Sequence, residues 1–427
     1  MPKATGVAER LTPLLQRLFD GEPPVRIRAW DGSEAGPVDA PAVVVRSRRA
    51  LRRLLWQPNE LGLGRAYVAG EIEVDGDLFE MLRRLAPVAY QERFDGRQLS
   101  AADRRQLMKT AVLLGALGPE PKPPPEEASL SGDQHSHDWV RAAITHHYDV
   151  GNDFYRLVLG PALVYSCAYW ATDAADYSLE DAQQDKLDLI CRKLGLTEGM
   201  RLLDVGCGWG SLVVHAAREY GVRAVGVTLS PAQAELAGQR VSEAGVADRV
   251  RIGLQDYSEV ADGPYDAIAS VGMAEHLSEE RYANYCAHLF GLLRPGGRLL
   301  DQQITRWPGL RRTDPTFIQS YVFPDNELKP LSTVVGLLEV AGFEVRDVES
   351  LREHYARTLR RWVANLQANW ETAVALTTLG RARVWQLYMA GSALAFEAGR
   401  IGVNQIVAVR AHPDGRSGMP STRAGWL

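Results

Sequence analysis

Cysteine is scarce in this chain: Cys167, Cys191, Cys207 and Cys286 are scattered over 427 positions. No two of them stand at CxxC spacing, so neither a zinc cluster nor a disulfide framework is expected. Long apolar runs are missing as well. Nowhere do about 18 apolar residues follow one another, the length a helix needs to cross a bilayer. The opening stretch MPKATGVAERLTPLLQRLFDGEPP lacks the continuous apolar segment of an export signal. A cytoplasmic location is expected, with contact at the inner face of a membrane still open. An excess of positive charge is absent too: 48 basic against 53 acidic side chains give −5 at pH 7, so no nucleic-acid partner is expected. His135, His137, His146 and His147 lie close in sequence, but no carboxylate or cysteine accompanies them at ligand spacing, and no metal site is expected.

What is present is an ordinary globular composition, 46% apolar and 24% charged, in a chain long enough for two domains. The clearest seam is GPEPKPPPEEASLSGDQHSH, where prolines and charges replace apolar periodicity; it predicts a linker over 118–137. Upstream, AVVVRSRRALRRLLW turns from a strand-like run into a basic helix. GLGRAYVAGEIEVDGDLFEMLRRL adds glycine-punctuated turns and an amphipathic helix, which predicts a small α+β domain over 1–117. Downstream, MRLLDVGC, RAVGVTL, RVRIGLQD, YDAIASVG and GRLLDQQI alternate with helical runs such as SLVVHAAREY. That rhythm predicts a doubly wound, mostly parallel α/β sheet over 138–427. After Ile304 it loosens into long helical stretches carrying Trp362, Trp370 and Trp385, expected to form a helical cover.

The stretch LLDVGCGWG places Asp204, Gly206, Gly208 and Gly210 where a strand ends and a helix begins. There the backbone can approach a ligand closely and amide groups point outward. About 20 residues further on, where a dinucleotide site wants a carboxylate for the ribose, the sequence reads VGVTLSPAQ. Gln255 and Asp256 in GLQDY close the third strand, where an amide and a carboxylate can meet an adenine edge. Together these positions suggest a Rossmann-like core that binds S-adenosylmethionine.

HHYDVGNDFYRLVLGPALVYSCAYW, the glycine loop with VGVTLSPAQ, SVGMAEHL and EHYARTLRRW together resemble the cyclopropane-fatty-acid synthase family, including its mycolic acid and tuberculostearic branches. The likeness spans roughly 138–408. It implies a class I methyltransferase with S-adenosylmethionine held by Tyr165, Ser166, Leu202 to Gly210, Thr228, Leu229, Ser230, Gln233, Gln255 and Asp256. It further implies a bicarbonate ion as general base, at positions matched here by Cys167, Glu275, Gln302, the Ile304 backbone and Tyr355. Gln302 departs from the histidine most of the family carries there; it can hydrogen-bond an anion but cannot relay a proton.

The implied reaction is methylation of a cis double bond in a phospholipid acyl chain, giving a cyclopropane or a 10-methylene product. A methylene product would call for a separate reductase to complete the branch. The electron-deficient carbon formed on transfer needs a dry aromatic lining, for which Tyr148, Tyr155, Tyr165, Tyr169 and Trp170 are candidates. Arg46, Arg48, Arg49, Arg52 and Arg53, interleaved with Leu51, Leu54, Leu55 and Trp56, have the composition of a helix that lies on anionic lipid. Two other readings stay open: a small-molecule N- or O-methyltransferase, and a lipid-binding protein on an inactive methyltransferase fold. A homo-oligomer is compatible with all three.

Overall fold

The computed structural model describes residues 6–19, 21–89, 101–128, 150–309 and 316–425. Tyr148 and the four clustered histidines lie outside the described residues. The chain divides into two units that interleave in sequence. One comprises Met1–Ser129 with Thr313–Val322 and Thr377–Leu394, and the other holds the rest. Two pieces of the C-terminal half thus belong with the N-terminal unit, which a boundary drawn once along the chain does not anticipate. No helix among the described residues is long and apolar enough to cross a membrane.

The first unit is built on a four-stranded sheet of β1 (Arg26–Ala29), β2 (Glu34–Ala35), β3 (Ala42–Val45) and β4 (Ile72–Asp75), in the order β2-β1-β3-β4. Its inner face packs Ile27, Ala29, Val45 and Ile72 against Val7, Leu11 and Met81. GLGRAYV, expected as turns, is instead a helix, Glu60–Val68, capped by Asn59, whose side chain accepts from the Gly62 N–H. Its glycines serve packing rather than turning: a Cβ on Gly64 would lie 2.3 Å from Cδ2 of Phe317.

The basic helix Arg48–Trp56 forms as expected, but Arg53 points inward. Its guanidinium grips both oxygens of Glu71 at 3.0 Å and reaches the carbonyls of Pro121 and Lys122. Glu71 also pairs with Arg49 at 3.0 Å, and Trp56 donates to the Gly118 carbonyl. The first part of the expected linker, 118–128, is therefore fastened to this unit, because an interior guanidinium with five donors needs carbonyl acceptors.

The second unit carries β5 (Arg201–Val205), β6 (Arg223–Thr228), β7 (Val250–Leu254), β8 (Tyr265–Val271), β9 (Leu293–Arg306), β10 (Lys329–Pro330), β11 (Glu344–Ser350) and β12 (Ile401–Val409). The main path runs β11-β12-β9-β8-β5-β6-β7. From β5 through β9 the pairing is parallel, while β12 is antiparallel to both β9 and β11. This is the class I methyltransferase fold. The order reverses between β5 and β8, which opens a crevice beyond their carboxyl ends. Two apolar clusters cover the two faces, one around Leu202, Val213 and Leu300 and the other around Leu203, Ile268 and Leu289.

EVRDVES and IGVNQIVAV, read as part of a helical cover, are the strands β11 and β12. The helices Arg352–Ala368 and Trp370–Leu376 lie between them in sequence.

Gly64→Ala is expected to lower the melting temperature, because overpacking of about 1–3 kcal/mol outweighs the helix propensity gained. Gly238→Ala, in the helix Pro231–Glu243 with nothing within 4 Å of the added carbon, is expected to raise it slightly. Differential scanning fluorimetry on both variants checks the pair, and a neutral Gly64→Ala would contradict the close packing.

Candidate active site

A cavity opens at the β5–β8 switch point, floored by the glycine loop. Gly206, Gly208 and Gly210 all take positive φ, +79°, +53° and +79°, a region that side chains with a Cβ rarely adopt. A Cβ on Gly206 would also stand 3.1 Å from Met273. Tyr165, Ser166, Asp204, Gly206, Gly208, Thr228, Leu229, Gln233, Gln255 and Asp256 line this cavity. Leu202, Gly210 and Ser230 do not. Leu202 is buried in the core, Gly210 starts the helix Ser211–Glu219, and Ser230 caps the helix Pro231–Glu243 through the Gln233 N–H. Thr228 donates to the Gln233 side chain at 2.8 Å, and Asp256 accepts from the N–H and hydroxyl of Ser258.

Sequence reasoning missed several lining groups. Lys186, on the helix Leu179–Leu194, is 2% exposed and donates to Ser166 Oγ at 3.0 Å. Burial lowers its pKa to about 8, and burial raises that of Asp204 to about 7, each eased by the other's charge. A buried cation and a buried carboxylate in one floor match the zwitterionic end of an amino acid. A lysine in the inward stripe of a helix, at 186 beside Gln183, Leu187 and Ile190, was the available signal.

His276 and Asp325 also line the cavity, Nδ1 to Oδ1 3.0 Å apart. Burial pulls the imidazole's pKa down, but the charge and hydrogen bond of Asp325, with Glu275 adding to them, lift it to about 9 from 6.5.

Of the five residues expected beside the reacting carbons, Glu275 and Ile304 bond directly, Cys167 and Tyr355 are linked to them through intervening backbone, and none of the five lines the cavity. Glu275 Oε1 accepts from the Ile304 N–H at 2.8 Å. Ile304 registers with Val403 across β9 and β12, and the Val403 carbonyl accepts from the Leu351 N–H. The Leu351 carbonyl in turn lies 3.6 Å from Cys167 Sγ and accepts from the Tyr355 N–H at 3.0 Å. Gln302 sits two residues before Ile304 on the same face of β9, its Oε1 accepting from Gln405 at 2.9 Å.

Glu275 Oε2 is buried with no hydrogen-bond partner among the described residues. Burial raises the carboxyl's pKa above its usual value. An orphaned buried carboxylate oxygen is costly, and a small oxyacid anion with a hydroxyl would satisfy it. Cys167 is a protonated thiol, since burial lifts its pKa far above the physiological range.

Aromatic rings connect the cofactor cavity to Tyr355. Ring centroids lie 4.8 Å apart for Trp209–Tyr155, 5.5 Å for Tyr155–Tyr165, 5.5 Å for Tyr165–Trp362 and 6.0 Å for Trp362–Tyr355. Tyr169 and Trp170 stand off this wall. Tyr169 stacks on His354 at 5.0 Å, and Arg357 covers the Trp170 ring at 4.1 Å.

Residues 135–406 match the family model for mycolic acid cyclopropane synthetase. The chain belongs to that family. It is 40% identical over 420 residues to a probable fatty acid methyltransferase of Mycobacterium tuberculosis, covering 95% of each chain. It is 39% identical to a probable fatty acid methyltransferase of Pseudomonas putida, covering 97% of this chain and 98% of the other. A tuberculostearic acid methyltransferase of M. tuberculosis is 33% identical, with 91% and 88% covered. Among solved structures, mycolic acid cyclopropane synthase CmaA1, complexed with SAH and CTAB, superposes with a TM-score of 0.59 at 38% identity, over 63% of this chain and 97% of that one. This cyclopropane synthetase-family chain is thus an S-adenosylmethionine-dependent methyltransferase that acts on lipid, and the cavity at the switch point is where its residues fit the cofactor.

The charged His276 contributes stability that is fully present below about pH 6.5 and lost as pH rises through about 9. The melting-temperature gap between the wild type and His276→Gln is therefore expected to narrow across that window. A gap that stays constant from pH 6.5 to 9 would contradict the charged pair.

Proposed function

We propose that the enzyme methylates the cis double bond of an unsaturated phospholipid acyl chain, giving a cyclopropane or a 10-methylene acyl chain. The observation that carries this reading is Glu275 Oε2, buried and without a hydrogen-bond partner among the described residues. A heteroatom acceptor needs only to lose its own proton. An alkene has none to lose beforehand, so its methylation needs a base that acts afterwards, in a dry site.

S-adenosylmethionine supplies an electrophilic methyl group on a sulfonium, and bicarbonate, where bound, supplies a base. The chain's own residues do the remainder. The glycine loop and the Thr228–Gln233 pair would hold the cofactor, and Lys186 and Asp204 would meet its amino-acid end. Tyr155, Tyr165 and Trp362 exclude water and face the cation that develops on the acyl carbon as its π electrons form the new C–C bond, the S–CH3 bond breaking with its electron pair left on the sulfur of S-adenosylhomocysteine. Such contacts are worth roughly 0.5–2 kcal/mol each. Proton loss from the transferred methyl then closes the ring, or after a hydride shift leaves the methylene. Glu275, Gln302, Ile304, Tyr355 and Cys167 would cradle a small oxyacid anion, which would supply a base for this proton.

Expression in a host rich in oleoyl lipids, with fatty acids identified by mass spectrometry, is expected to yield a new acyl chain heavier by one CH2. Glu275→Gln is expected to lower its yield about 100-fold, within the range for losing an acid–base contribution. No new acyl chain would overturn the reading, and near-normal yield in Glu275→Gln would overturn the anion site.

Exposed apolar side chains beside arginines on the first unit support the reading of an acyl chain still carried by phospholipid. Trp56, Met108, Val112, Leu113 and Leu117 are 44–59% exposed, and Arg48 and Arg49 stand exposed on the basic helix. Apolar side chains beside arginines suit an anionic bilayer surface. Replacing Met108, Val112 and Leu113 with serine is expected to weaken sedimentation with phosphatidylglycerol vesicles. Equal sedimentation would remove the surface from the proposal.

A further inference from the structure

The buried helix Leu179–Leu194 carries a second interior lysine, seven residues after Lys186, that the cofactor cavity does not use. Lys193 is fully buried. Its ammonium donates to Gln405 Oε1 at 2.7 Å and to Glu349 Oε2. Gln405, also fully buried on β12, donates through Nε2 to Gln302 Oε1 at 2.9 Å. A polar line thus runs from the half-exposed Glu349 through two buried side chains to a residue of the active-site cradle.

The direction of that line is fixed by chemistry. An ammonium has three donors and no acceptor, so Gln405 has to turn its carbonyl oxygen to Lys193. Its NH2 then faces Gln302, and Gln302 has to answer with its own oxygen. The NH2 of Gln302 is left over, with no partner among the described residues. Without the lysine either amide can rotate by half a turn and present oxygen instead, since the two ends of an amide are nearly the same shape.

We infer that Lys193 and Gln405 are positioning residues that lock the Gln302 amide with its NH2 toward the anion cradle, making Gln302 a dedicated donor to bicarbonate. The inference rests on the proposed reading of that cradle. It assigns a purpose to a lysine whose burial is otherwise only a cost, and it explains how glutamine serves where an imidazole would choose its own tautomer.

Gln405→Glu tests it with little change of shape. A carboxylate accepts from Lys193 and also from Gln302, which then has to turn its NH2 backward and its oxygen toward the anion. The protein loaded with S-adenosylhomocysteine is titrated with 13C-labelled bicarbonate and followed by NMR. Affinity for bicarbonate is expected to fall about tenfold or more, the weight of one charge-assisted hydrogen bond lost and a repulsive oxygen gained. Affinity for S-adenosylhomocysteine is expected to hold, which also shows that the variant is folded. In a Gln302→Leu background the Gln405 substitution is expected to add nothing, because the two act as one unit. If Gln405→Glu does not fold, Lys193→Gln tests the same lock: it frees the amides instead of reversing them, and bicarbonate affinity is expected to fall about twofold.

Unchanged bicarbonate affinity in the folded variant would overturn the inference, and so would a wild type that binds no bicarbonate. An equal loss in the Gln302→Leu background would overturn it as well, by placing the effect elsewhere. Binding that depends on Gln405 in a protein that makes no new acyl chain would uphold this inference and overturn the proposed reaction.

Discussion

The hydrogen bond from the Ile304 N–H to Glu275 is the contact on which the site depends. It joins the loop after β8 to the far end of β9, so that a carboxylate enters the interior already holding one partner and keeping one oxygen free. Lys329 strengthens the arrangement from beneath. Its ammonium donates to the carbonyls of Ala274 and Leu277, closing the short turn that carries Glu275. A charge in a medium of low dielectric is tolerated only where such partners meet it. The remaining oxygen is buried with no hydrogen-bond partner among the described residues.

Around that carboxylate the enzyme keeps polar groups and dry walls apart. One face of the Leu179–Leu194 helix presents Gln183, Lys186 and Lys193 inward, so a single rigid element reaches the cofactor floor through Ser166 and the cradle through Gln405. The rings of Trp209, Tyr155, Tyr165, Trp362 and Tyr355 form a continuous aromatic series. Cys167 fits this division as a buried protonated thiol. Its Sγ lies within donor reach of the Ala168 and Leu351 carbonyls, so the thiol serves there as a small buried group with a weak donor.

Much of this was legible in the sequence, for physical reasons. Five parallel strands announced themselves as short apolar runs between amphipathic helices, and the glycine loop stood out because three glycines within five positions follow an apolar run. β12 was hidden because Asn404 and Gln405 interrupt its apolar run, and those are the residues whose side chains face Thr305 and Gln302 across the sheet. Gly62 and Gly64 read as turns because periodicity cannot distinguish a flexible glycine from one that lets a neighbour come close. The inward arginine Arg53 looked like its solvated neighbours, since only the fold supplies Glu71 and the carbonyls of 121 and 122. Buried lysines are invisible for the same reason: composition records the charge and not the partner.

Transfer to carbon followed by proton loss from the same methyl group is the central claim. Reaction with S-adenosylmethionine bearing a trideuterated methyl group tests it most directly, by mass spectrometry of the new acyl chain. Both the ring and the methylene require two deuterons in the product. Retention of all three would mean that no proton leaves the transferred group, and the cradle at Glu275 would have no base to hold.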